Sequence, residues 1–182
     1  EAVAIIFMVV CGINFGLHFY AFKGGVKNYL ADDETRTYLL ILSIAAVITS
    51  ISLIIFGRYD TLDALRSSIF TVVSIFTTTG FTTEDFSQWP SMLPYMIFFG
   101  AFSGACAGST GGGMKIMRVL LIWKQGIREV FRIIHPNAMF PVKVNHRPVS
   151  PGVIEAIWGF FSVYVLTFVA LHLIMIGLGM DF

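Results

Sequence analysis

"VVSIFTTTGFTTEDF", residues 72–86, decides how the rest of the chain is read. It carries no charge before Glu84, yet it sets five threonines and one glycine around Phe81 at the end of an apolar run. Three β-branched residues followed by glycine continue a helix poorly, so a helix that starts upstream is expected to end here. The charge-free stretch 67–83 is short and rich in Ser and Thr, whereas crossing a bilayer takes about 20 mainly apolar residues. It reads as a re-entrant half-helix with a polar return. The competing reading is a helix end whose hydroxyls bond back to the preceding turn.

Working outward, the 182 residues are 56% hydrophobic and only 13% charged, with a mean hydropathy of +0.79. Soluble domains carry about a quarter charged residues, so the chain belongs in a membrane. A net charge of +1 excludes a broad basic surface for nucleic acid. Cys11 and Cys106 lie in apolar surroundings and read as small buried thiols. Residues 2–22 and 38–56 are charge-free and long enough to span, and 153–180 is a further candidate with Glu155 near its start, placed there by the helix dipole. Residues 86–114 also lack charge, but their second half is "GACAGSTGGGMK". The polar stretch 23–36 is expected to be an aqueous loop, and the proline-bearing stretch 137–151 a solvated connection. The chain starts at Glu1 directly before an apolar run and stops after another, so it is expected to be a piece of a larger membrane protein.

Basic residues in short loops set the orientation. Lys23, Lys27 and Arg36 follow the first span, while Lys124, Arg128, Arg132, Lys143 and Arg147 precede the last. The intervening connections carry Arg58, Asp60, Asp63, Glu84 and Asp85, mostly acidic. Both basic regions are therefore expected in the cytoplasm. An even number of crossings separates them only if 67–83 does not cross, which supports the re-entrant reading independently of segment length.

A half-helix entering from outside, with Thr61 as N-cap and Asp63 in its first turn, points its partially negative C-terminus into the membrane. Carbonyls exposed at that depth are tolerated only inside protein or along a water-filled path. A row of them, with a threonine hydroxyl, can replace the hydration shell of a potassium-sized ion. Gly80 gives the backbone dihedrals closed to other residues. A second glycine tract recurs at Gly100, Gly104, Gly108 and Gly112. Over its first half close helix packing explains the spacing. At "GSTGGGMK", residues 108–115, three adjacent glycines would weaken a helix by about 1 kcal/mol each, and a break is expected. The phosphate-loop pattern is met only by the Gly108–Gly113 spacing, without the Lys-Ser/Thr pair or a preceding strand.

The tract Thr78-Thr79-Gly80-Phe81-Thr82 resembles a relaxed potassium-channel filter signature, with Thr82 in place of the second glycine. With that tract and the glycine-broken helix, the chain resembles the Trk, Ktr and HKT superfamily of potassium and sodium transporters, most closely the membrane subunit of the bacterial Trk system. The resemblance covers essentially the whole chain. It implies an all-α polytopic membrane protein built from potassium-channel-like helix, pore-loop, helix repeats with a broken inner helix. Residues 1–22 would close one repeat and 23–36 would be a cytoplasmic loop. Residues 37–134 would form a complete repeat: outer helix 37–56, pore half-helix 61–77, filter 78–82 and interrupted inner helix 91–134. Residues 135–150 would be a second cytoplasmic loop, and 151–182 would open the next repeat. Carbonyls of Thr78, Thr79, Gly80 and Phe81 would bind potassium as one quarter of a filter. Gly108, Ser109, Thr110, Gly111, Gly112, Gly113 and Lys115 would form an intramembrane gating loop, in which Lys115 opposes ion passage. The plainer reading of Lys115 is an interfacial snorkelling residue.

The resemblance further implies potassium uptake across the bacterial inner membrane, no enzymatic activity and no cofactor beyond the transported ion. Partners would be the remaining repeats, the lipid bilayer, a second copy in a homodimer and a cytosolic nucleotide-binding regulatory subunit, docking on residues 124–147. Lys124, Arg128 and Arg132, on one helical face, could equally bind anionic lipid. Asn14 and His18 share a face in the first span and either line a polar cavity or bond between helices. His172 has the same ambiguity. The competing class is a cation-coupled secondary carrier with broken helices, whose mark would be an acid inside the spans.

Overall fold

A computed structural model describes residues 1–56, 60–90, 92–136 and 138–179. Arg58, Ser91 and the end of the last expected segment at 180–182 lie outside the described residues. The chain divides into two compact units, Glu1–Leu120 and Leu121–Phe182.

In the first unit the expected first span is two helices. α1 (Ala2–Cys11) and α2 (Phe15–Gly24) are bent by 97° at the break between them. Asn14 ends the continuity by capping α2, its Oδ1 accepting from the Gly16 amide at 2.8 Å. Tyr38 occupies the corner: it is buried, donates its hydroxyl to the Val9 carbonyl at 3.2 Å, and sits where a Cβ on Gly12 would overlap it.

The expected aqueous loop 23–36 is partly helical. α3 (Lys27–Ala31) precedes α4 (Asp33–Ile55), which starts several residues earlier than the apolar pattern alone indicates. Asp32 caps α4 through its Oδ2 on the Thr35 amide at 2.8 Å, and Asp33 and Glu34 stand in the positive first turn. The end of the polar run, Asp33 to Arg36, is thus the start of the outer helix rather than part of a loop.

α5 (Thr61–Phe76) is the 16-residue half-helix. Asp60, not Thr61, is its N-cap residue, and no side-chain hydrogen bond is made there; Asp63 lies in the first turn as expected. α5 packs against α1, α4 and α6 (Leu93–Ser103), and Leu53, Ala64, Val72 and Ile97 are fully buried in the core they form. The Phe76 ring fills the place a side chain on Gly100 would need, so that glycine serves close helix packing. α6 stops at Gly104, and the chain returns to helix only at α7 (Ile116–Ile134).

In the second unit, the expected solvated connection holds a small hairpin, β1 (Lys143–Val144) and β2 (Arg147–Pro148). Its two-residue turn, Asn145 and His146, has positive φ at both positions (47° and 64°), the geometry whose twist matches a β-ribbon. Pro151 then opens α8 (Pro151–Gly177) from its first position. Glu155 falls beyond the first turn, so the dipole does not explain it as expected. Among the described residues two helices, α4 and α8, are long and apolar enough to cross a membrane, and the bent α1–α2 pair passes the same test jointly.

A candidate ion pathway at two helix breaks

The tract after α5 leaves the helix in a defined way. The Thr77 amide donates to Val73 O (3.0 Å), Thr78 to Ile75 O (3.0 Å), and Thr79 and Gly80 both to Ser74 O (2.8 and 3.3 Å). These four amides therefore turn back toward the last turn of α5. In a trans peptide the preceding carbonyl points opposite to its N–H, so the carbonyls of Thr77, Thr78 and Thr79 are turned away from the helix end. Positive φ at Thr78 (59°) and Gly80 (80°), alternating with negative φ between them, makes this one-sidedness possible. Thr77 Oγ1 bonds back to Val73 O at 2.8 Å, the local bonding anticipated for a Ser/Thr-rich helix end, and also meets Thr79 Oγ1 at 2.8 Å. Thr78, Thr79, Gly80 and Phe81 are exposed, and a Cβ on Gly80 would meet nothing within 4 Å. Farther on, Glu84 Oε1 accepts from Ser67 Oγ at 2.9 Å and ties the return to the half-helix.

The second break, residues 104–115, lies against the first. Gly112 N–H donates to Thr78 Oγ1 at 2.6 Å, and a Cβ on Gly111 would stand 3.0 Å from Thr77 O. The loop's stems are tied to each other by Met114 N to Phe102 O (3.0 Å) and Ile116 N to Ala105 O (3.1 Å). The α1–α2 corner holds it from the side: Cys106 N donates to Gly12 O (2.9 Å), and Phe15 N to Gly108 O (3.2 Å). Lys115 has φ 75° and donates its ammonium to the Gly111 carbonyl, so it folds onto its own loop.

The chain as a whole has counterparts among known proteins. A family model described as TrkH, a cation transport protein, matches residues 1–182. The chain belongs to the TrkH family. Trk system potassium uptake protein TrkH of Halomonas elongata is 45% identical over 182 residues, and that of Escherichia coli K12 is 41% identical over 183. Both alignments cover all of this chain and 38% of the relative, so the chain spans well under half the length of the curated relatives it matches. The crystal structure of the potassium transporter TrkH from Vibrio parahaemolyticus superposes with a TM-score of 0.93 at 42% identity, covering 99% of this chain and 39% of that one. The expected fold class, all-α and polytopic with a broken inner helix, is thus the fold of the TrkH family.

Within this TrkH-family fold, other residues singled out in the sequence have different surroundings from those expected. Asn14 is the cap at the α1–α2 break, so it does not share a helix face with His18. His18 bonds across to Tyr29 Oη (2.7 Å) and to Val10 O (3.1 Å). His172 stacks on Phe168. Cys106 is buried and Cys11 half-buried. On α7, Glu129 accepts from Arg128 and Arg132, which hold its carboxyl below the usual carboxylate range, while Lys124 Nζ donates to Lys143 O (2.9 Å). The basic face is therefore partly neutralised from within.

Sequence reasoning missed Glu34. It lies only 2% exposed, and its Oε1 accepts from the Ala107 amide (2.6 Å) and the Met117 amide (3.1 Å), one on each side of the glycine loop. Its position in the first turn of α4 was legible once Asp32 is read as a cap; its burial was not, because both donors lie more than 70 residues away.

Proposed function

We propose that this chain forms one pore repeat, with its flanking helices, of a potassium uptake subunit in the bacterial inner membrane. Carbonyls of Thr78, Thr79, Gly80 and Phe81, joined by that of Thr77, serve as one wall of the selectivity filter, and residues 108–115 gate the path below it. The observation that carries this reading is the turning of four consecutive amides, Thr77 to Gly80, onto the C-terminal turn of α5. It turns the carbonyls of Thr77, Thr78 and Thr79 away from the helix end, the direction from which they could replace water around a dehydrated cation at the negative end of a half-helix. The tract's exposure accords with a wall that three further repeats complete. Ion passage makes and breaks no bond, and potassium is substrate rather than cofactor. A second copy and a cytosolic nucleotide-binding subunit complete the assembly, the latter docking on the basic face within 124–147.

A carrier mechanism would call for an acid available to a coupling ion inside the spans. Glu34 is a buried acid, but its Oε1 is already engaged by two backbone amides, which favours the channel reading. The test is Gly80→Ser in the complete subunit, reconstituted in vesicles. Potassium over sodium selectivity is expected to fall about tenfold or more, since displacing one carbonyl in a filter changes the coordination of the ion itself. Wild-type selectivity in that variant would reject the filter assignment.

A further inference from the structure

The pathway as described gives Glu34 no task, although it is the most deeply buried acid near it. A carboxylate out of water is costly unless hydrogen bonds replace its hydration. Both donors it has are backbone amides of the loop's stems: Ala107 just before the glycines, and Met117, the second residue of α7. The Met117 N–H belongs to a helix first turn, where amides lack an intrahelical acceptor and the dipole favours an anion. Glu34 thus caps α7 from another helix while holding the opposite stem with the same oxygen. Lys115, between the stems, lies within electrostatic range of the carboxylate. The apex of the loop is held separately, by Thr78 Oγ1 on the Gly112 amide.

We propose that Glu34 is the latch of the glycine loop: its carboxylate bridges the Ala107 and Met117 amides, and the loop leaves the pathway only when the stems leave Glu34. This rests on reading residues 108–115 as a gate. Spreading the stems strips a buried charge of both its donors, so the closed arrangement is favoured by the carboxylate itself. Glu34 acts here as a positioning residue, with no contact to the ion.

The experiment uses the complete subunit in proteoliposomes, with rubidium uptake measured without any regulatory subunit. Glu34→Ala is expected to raise basal uptake about tenfold or more, the shift in a closed–open equilibrium that loss of the two charge-assisted bonds to the stems produces. Glu34→Gln, which keeps an acceptor oxygen but not the charge, should give a smaller rise. The rubidium-to-sodium ratio should stay at the wild-type value in both, since a general loosening of the fold would degrade selectivity together with closure. Wild-type basal uptake in both variants, or a rise in sodium uptake equal to that of rubidium, overturns the latch. Lys115→Gln is run alongside. Raised uptake there with unchanged Glu34 variants rejects the latch and keeps the gate; unchanged uptake in all three rejects both. If Glu34→Ala fails to accumulate, the isosteric Glu34→Gln decides alone.

Discussion

The two helix breaks use glycine for opposite reasons. At the end of α5, Gly80 takes φ 80° in open space, so the residue is there for its dihedral and nothing crowds it. At the end of α6, Gly104 takes φ 64° with the Gly112 carbonyl where its Cβ would be. A Cβ on Gly113 would come within 3.0 Å of the Gly104 Cα, and one on Gly111 within 2.6 Å of the Ala105 Cβ. The first break is a ribbon with a free face, the second a knot in which backbone packs on backbone. On the proposed function, a free face suits a surface that other repeats and an ion would approach. A knot suits an obstruction with few alternative arrangements, because close-packed segments do not deform by small steps.

The strongest way to break that contrast is to add the same methyl group at both places. Gly104→Ala meets both the dihedral strain and a backbone atom that cannot rotate aside, and should cost about 3 kcal/mol. Gly80→Ala meets the dihedral strain alone, about 1 kcal/mol. Thermal unfolding of the complete subunit in detergent, followed by size exclusion, should therefore show the larger fall in Tm for Gly104→Ala; equal falls would mean that the loop is not crowded. A smaller effect is expected at the junction of the two breaks. Thr78→Val keeps the shape but removes the acceptor of the Gly112 amide, costing about 1 kcal/mol and raising basal rubidium uptake a few-fold by freeing the loop apex. Unchanged uptake would show that the apex contact does not help hold the loop.

The smallest effect concerns the outer return of the first break. Asp85 accepts from the Ser87 hydroxyl (2.6 Å) and amide (3.0 Å) and from Gln88 (3.1 Å). These bonds, the Ser87 hydroxyl first, hold its carboxyl below the usual carboxylate value. A lowered folded-state value stabilises the fold above the unfolded pKa of about 3.9, and the contribution is lost as pH falls through the folded value beneath it. In Tm measured from about pH 6 down to about pH 3, the gap between wild type and Asp85→Asn should narrow only at the acid end. A gap that stays constant with pH would refute the charged contact, and full exposure keeps the effect small.

Local chemistry made several of these features legible from the residues alone. "TTTG" announces that α5 cannot continue, because β-branched residues and glycine act on the same turn they occupy. "GSTGGGMK" does the same for the break before α7, and Asp63 falls in the first turn where the helix dipole favours it. The N-cap is Asp60 where the residues alone favour its neighbour Thr61, since either side chain suits that position. The start of α4 is less legible, because "ADDETR" reads as solvated polarity until Asp32 is recognised as a cap. Residues 2–22 read as continuous in the sequence because their apolar composition says nothing of the Tyr38 ring packed into the corner.

The sequence by itself therefore determined that this is a membrane chain, which stretches are apolar enough for membrane helices, and that helix is interrupted at "TTTG" and again at the second glycine tract. Those properties arise from transfer free energy and dihedral preference, which act residue by residue. The tertiary structure alone decided that the two breaks touch, through Thr78 and Gly112, that the α1–α2 bend braces the loop, and that Glu34 joins its stems. Each depends on partners tens of residues apart, and a hydrogen bond between distant residues leaves no periodicity for a sequence to display.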